Sequence, residues 1–140
     1  MILLDTSGLL SALDASEPNH VRAAAALRDA APPRLLSPFV LAELDYLIAR
    51  HVSPAAALNV LREVGRGAYQ LEPMTDEDVR AAVAVLEQYA DLDLGLADAS
   101  LVVLAQRHGA VDVLTLDERH FRAVLGPGRQ PFRLLPADTA

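Results

Sequence analysis

Three acids of this chain interrupt apolar sequence, and chemistry can be built on them. Asp5 directly follows the run Met-Ile-Leu-Leu, Asp117 follows VDVLTL, and Asp98 is the sole charged residue of LGLADASLVVLA. A further acid lies in FVLAELDYLI, where Glu43 and Asp45 are flanked almost equally by apolar residues at helical spacing, so periodicity does not choose between them. A lone ionised carboxylate held among apolar residues is disfavoured by several kcal/mol or more unless a cation, a cluster of donors or a proton accompanies it. Two carboxylates about 4 Å apart repel by roughly 4 kcal/mol at an effective dielectric of about 20. If these acids converge, they need a counter-charge, and ligation by oxygen alone selects hard cations, Mg²⁺ or Mn²⁺. The plainer reading of Asp5 and of Asp98 is a helix cap, stabilised by N-terminal amides and the helix dipole. Zinc is poorly supported, since His20, His51, His108 and His120 are scattered without ligand spacing and read as surface or capping groups.

The surrounding pattern sets where these acids stand. Residues 1 to 4 form a short apolar strand that ends at Asp5, followed by helix from about Ser7 to Leu13. An alanine-rich helix runs from Asn19 to about Ala30 and is stopped by Pro32-Pro33, and residues 34 to 37 read as a second strand. Ser37-Pro38 and Ser53-Pro54 each start a helix, with serine as N-cap and proline in the first helical position, the second helix running to about Val64. Residues 68 to 71 make a plausible third strand, and Thr75 caps a helix to about Tyr89. A helix over 96 to 108 that stops at Gly109, a strand over 111 to 116, a helix over 117 to 124 and a strand over 132 to 135 complete the chain. Strands and helices alternate throughout, which predicts an α/β fold with a parallel sheet and ligands beyond the carboxyl ends of the strands. Asp98, with Leu94 one turn before it and Leu101 and Val102 one turn after, faces inward.

Composition removes several alternatives. The 140 residues fit a single domain, 1 to 140, with loose stretches at 126 to 131 and from about 136 to 140. There is no cysteine, so disulfides, thiolate nucleophiles and cysteine-rich zinc sites are absent. All 12 basic residues are arginine, which excludes Schiff-base lysines and the P-loop lysine. The formal charge of -7 disfavours a broad basic nucleic-acid surface, so a bound metal would have to supply much of the positive charge for a phosphate substrate. The N-terminus lacks a basic region and no long apolar span occurs, which predicts a cytoplasmic protein without membrane contact.

The stretches LLDTSGLL, YADLDLGLADASLVVLAQRHG and LTLDERHF, with SPFVLAELDYLI as a softer match, resemble the PIN-domain ribonucleases, and specifically the VapC-type toxins of toxin-antitoxin pairs. Together they span most of the chain in the family's order and spacing. The resemblance implies a single PIN-like domain, with a short central parallel sheet of about four to five strands flanked by helices. It implies Asp5, Glu43, Asp98 and Asp117 as catalytic metal ligands for Mg²⁺ or Mn²⁺, and so prefers Glu43 over Asp45. Thr6 and Thr115 match neighbouring polar positions whose hydroxyls orient carboxylates or metal waters. Asp91 and Asp93 are read as structural or solvated.

The implied activity is endoribonucleolytic, with a metal-activated water and products bearing 5′-phosphate and 3′-hydroxyl ends. Arg107 and Arg119 are the candidates for gripping flanking phosphates. The implied partners are RNA, a second copy of the chain and a cognate antitoxin whose basic segment suits the acidic charge. Two rivals remain: another Asp-dependent phosphohydrolase, and a catalytically silent PIN-like binding module. The first lacks both a second Asp two positions after Asp5 and any lysine.

Overall fold

The computed structural model describes residues 1 to 139. Its elements are β1 (Ile2–Leu4), α1 (Thr6–Leu13), α2 (His20–Asp29), β2 (Arg34–Leu36), α3 (Pro38–His51), α4 (Pro54–Gly65), β3 (Gln70–Leu71), α5 (Asp76–Gln88), α6 (Leu96–His108), β4 (Asp112–Leu114), α7 (Glu118–Ala123) and β5 (Arg133–Leu135). All the strand pairings are parallel, in the order β3-β2-β1-β4-β5. The winding therefore reverses at β1, with β2 and β3 laid to one side and β4 and β5 to the other. At such a switch point the carboxyl ends of two neighbouring strands open a crevice, here between β1 and β4.

The strands are short apolar runs because both faces of the sheet are covered. Ile2, Leu3, Leu4, Leu35, Leu36, Val113, Leu114 and Leu134 are all fully buried. Helix α6 is buried on most of its surface, through Ala97, Ala99, Leu101, Leu104 and Ala105. It packs on α3, α5 and β1, which makes it an interior element and explains its lack of a polar outer face. Among the described residues no helix is long and apolar enough to cross a membrane.

Several elements depart from the expected bounds for identifiable reasons. The strand expected over 111 to 116 is only Asp112–Leu114, because the amides of Leu116 and Asp117 donate to the hydroxyls of Ser7 and Thr115 rather than to a ladder. The strand expected from 68 shrinks to the edge pair Gln70–Leu71, with Gly67 in the left-handed region (φ 89°) just before it. The segment 126 to 131, expected to be loose, is closed by the Gly126 amide on the Gln130 carbonyl at 2.7 Å. Residues 136 to 139, also expected to be loose, form a turn in which Asp138 accepts from the Leu134 amide at 2.8 Å and pairs with Arg122.

One buried polar contact locks the two helices that carry site acids. Ser100 Oγ donates to the Ala97 carbonyl at 2.6 Å, so its single proton is used there. The Ser37 hydroxyl, 2.7 Å away and likewise fully buried, must then be the donor to Ser100 Oγ. Ser37 also caps α3 by accepting from the Phe39 amide at 3.2 Å. Ser100→Ala removes the acceptor and leaves a buried hydroxyl donor unmatched, which is expected to cost about 1–3 kcal/mol in urea-induced unfolding. An unchanged midpoint would show that the pair does not hold α3 to α6.

Candidate active site

Asp5 emerges from the carboxyl end of β1 and is 4% exposed. Although it occupies the N-cap position of α1, its side chain caps no amide of that helix. Its Oδ2 accepts instead from Thr115 Oγ1 at 2.6 Å and from Ser7 Oγ at 2.8 Å. Each of these hydroxyls also accepts a backbone amide of the β4–α7 turn, Asp117 onto Thr115 at 2.9 Å and Leu116 onto Ser7 at 3.0 Å. Both hydroxyl protons are therefore fixed on Oδ2.

Asp98 lies in the first turn of α6 and Asp117 at the start of α7. Asp98 Oδ2 accepts from the Gly95 amide at 3.3 Å, and Asp117 Oδ1 from the His120 amide at 3.1 Å. Each acid thus has one oxygen anchored by its own helix start, and capping and site membership coexist. Between the two stands the His120 ring, 17% exposed, with Nδ1 2.8 Å from Asp117 Oδ2 and 3.7 Å from Asp98 Oδ2. The nearer approach is too far out of line for a hydrogen bond, so Nδ1 is a buried atom without a bonding partner.

Burial raises the Asp5 carboxyl to about 6, against the opposing bonds from Thr115 and Ser7, and the charge of Asp98 adds to the rise. Burial also raises Asp98, where the Gly95 amide and His120 act downward and the charges of Asp117 and Glu43 act upward. Glu43, exposed on α3, is thus within electrostatic reach of Asp98. Among the described residues no three histidine or acidic side chains stand close enough to enclose a metal ion as they are. The donor types nevertheless suit a hard divalent cation, because they are partly desolvated carboxylate oxygens.

Three expectations about individual residues are corrected. Thr6 is buried but its hydroxyl has no partner, and the adjacent Ser7 orients Asp5. Arg107 is engaged at the far end of α6, bonding Asp78 at 2.8 Å, the Pro73 carbonyl at 3.0 Å and Glu72 at 3.4 Å, so it is not free to grip phosphate beside Asp98. His120 is a member of the acidic crevice, not a surface group, and its place three residues after Asp117 on one helix face was the available signal. Arg119 is exposed and, among the described residues, has no ion-pair or hydrogen-bond partner. His108 contacts Glu72, and His20 Nδ1 lies 2.9 Å from the Ser11 carbonyl, both outside the crevice.

Known proteins share this arrangement of elements. The family model for the PIN domain matches residues 2 to 125. Ribonuclease VapC26 of Mycobacterium tuberculosis is 40% identical over 135 residues, covering 96% of this chain and 100% of that protein. The crystal structure of VapC20 from the same species, described as a sarcin-ricin loop cleaving toxin, superposes with a TM-score of 0.78 at 20% identity, over 84% of this chain and 90% of that one. A chain of a toxin-antitoxin complex from Klebsiella pneumoniae superposes with a TM-score of 0.66 at 19% identity, over 89% and 92%.

Proposed function

Because this chain belongs to the PIN-domain family, within its VapC-type ribonucleases, we propose that it is a metal-dependent endoribonuclease and the toxin of a toxin-antitoxin pair. What supports this reading is that Asp5 at the end of β1, Asp98 at the start of α6 and Asp117 at the start of α7 act on one another through their charges, with burial raising the Asp5 carboxyl to about 6. In this reading Asp5, Asp98, Asp117 and Glu43 hold Mg²⁺ or Mn²⁺. A divalent cation bound there offsets the carboxylate and phosphodiester charges and lowers the pKa of the attacking water. Ser7 and Thr115 hold the Asp5 carboxylate through Oδ2 and so restrain its rotation. Arg119, exposed on α7 two residues after Asp117, would meet a phosphate beside the one that is cut.

A basic antitoxin segment and a second copy of the chain are the proposed protein partners, and the cytoplasm the proposed place of action. Leu58 and Leu61 on α4, and Val79 and Val83 on α5, are exposed apolar side chains that such contacts would cover.

The test is cleavage of structured RNA by purified protein with Mg²⁺ or Mn²⁺, abolished by chelation and restored by metal, read beside a thermal shift. A raised Asp5 pKa means that the folded state favours the protonated form. Stability of the metal-free protein is accordingly expected to fall as pH rises from about 4 through about 6, by on the order of 3 kcal/mol. Metal needs the deprotonated carboxylate, so Mn²⁺ should raise Tm more at about pH 7.5 than at about pH 5. Cleavage that survives chelation, or a thermal shift equal at both pH values, refutes the metal reading; metal binding without any cleavage leaves the binding-module reading.

A further inference from the structure

The chain has three tyrosines, three phenylalanines and no tryptophan. Phe121 and Phe132 are buried edge-to-face, and Phe39, Tyr69 and Tyr89 pack partly buried against the core. Tyr46 stands apart at 59% exposed. Its ring is nevertheless held in place: Arg50 Cζ lies 5.4 Å from the ring centroid, and Arg50 Nη1 donates to Tyr46 Oη at 3.1 Å. Among the described residues Arg50 makes no ion pair, whereas Arg28, Arg66, Arg80, Arg107, Arg122 and Arg133 do. An exposed aromatic ring steadied by a cation with no acid to neutralise it has no evident part in the fold.

Its position relates it to the acids. Tyr46 is three residues and Arg50 seven residues beyond Glu43 on α3, so all three share one helix face. They stand about 4.5 Å and about 10 Å along the axis from Glu43. An exposed carboxylate whose charge acts on Asp98, an aromatic face and an unneutralised guanidinium thus follow one another along a single exposed stripe. An aromatic face accepts any base by stacking, and a nearby arginine meets the phosphate beside it. In a chain of formal charge -7, a cation left free next to an exposed ring matches a polyanion with aromatic bases better than it matches a basic peptide.

We infer that Tyr46, held by Arg50, is a stacking platform for an unpaired base of the RNA substrate, one helical turn from Glu43. This inference rests on the ribonuclease reading, and its test separates the two. For the full chain with metal, Tyr46→Ala is expected to raise KM for a single-stranded RNA about tenfold with kcat nearly unchanged, while Tyr46→Phe, which keeps the ring, stays near wild type. An RNA carrying 2-aminopurine beside the cleavage position, added to Asp98→Asn protein so that it is not cut, should lose fluorescence on binding. The additional Tyr46→Ala change should abolish that quenching. A Tyr46→Ala protein with wild-type KM and quenching overturns the platform, as does a Tyr46→Phe protein as impaired as the alanine variant. Weakened antitoxin binding with unaltered RNA binding also overturns it and assigns the stripe to a protein contact. If no variant cleaves RNA, the ribonuclease reading fails, and the quenching comparison still decides whether Tyr46 stacks on a base.

Discussion

Asp5→Asn is expected to abolish RNA cleavage, by about a thousandfold or more, while making the metal-free protein at neutral pH no less stable than wild type. The two outcomes share one cause. The Asp5 carboxylate is buried beside Asp98, and its ordinary acidity is suppressed until about pH 6, so at neutral pH the fold carries an ionised group that it disfavours. Asparagine removes that charge and keeps the shape. Its amide oxygen can take the place of Oδ2 and accept from Thr115 and Ser7, so both hydroxyls keep an acceptor. The NH₂ group, unlike a carboxylate oxygen, cannot ligate a cation. Asp98→Asn should lose cleavage to a similar degree, since it also removes a carboxylate from the crevice, while its oxygen can still accept from the Gly95 amide. Cleavage assays and thermal melts of the three proteins without metal check this. Activity within tenfold of wild type for either variant, or an Asp5→Asn protein several kcal/mol less stable, would show that these acids serve the fold and not the chemistry.

Gly8→Ala is expected to damage both stability and activity, through backbone and not through chemistry. A Cβ at position 8 would lie 2.3 Å from the Leu114 carbonyl oxygen, 2.5 Å from its carbon and 2.7 Å from the Thr115 nitrogen. None of these is the end of a flexible side chain, so α1 must move off β4. That movement strains the Asp5 amide bond to the Leu114 carbonyl, now 3.0 Å, and pulls Ser7 from Leu116. Overpacking of this kind costs about 1–3 kcal/mol and occasionally more, and the rigid neighbours place this case at the upper end. Cleavage should fall at least tenfold even in the fraction that folds, because Asp5 and Thr115 belong to the two elements driven apart. Equal urea midpoints and equal turnover for the alanine variant would mean that α1 can shift without cost, which the packing at this point contradicts.

Much of this site was legible before any fold was known, because its acids announce themselves by context. Asp5 and Asp117 follow apolar runs that become β1 and lead out of β4, and Asp98 interrupts an apolar helix. Glu43 is not separable from Asp45 by periodicity, and resemblance alone prefers it. Thr6 is implied by the resemblance, and it stands next to a second small hydroxyl residue, Ser7. Only the β1/β4 neighbourhood shows which of them reaches Asp5 and the Leu116 amide 109 positions away. Arg107 has no partner legible in the sequence because its acids, Glu72 just past β3 and Asp78 in α5, are brought to it only by the fold.

The amino-acid order by itself determined the alternation of strands and helices, the helix starts at Ser37 and Ser53, the exclusion of thiol and lysine chemistry, and the acids that could not be ordinary surface charges. Those properties depend on near neighbours, through periodicity, capping and the cost of setting a charge among apolar residues. The tertiary structure alone decided which oxygen of Asp5 is tied down, that His120 stands between Asp98 and Asp117, and that Gly8 must lack a side chain. Thr115 and Asp5 are 110 positions apart and meet only because β1 and β4 lie side by side at the reversal of the winding.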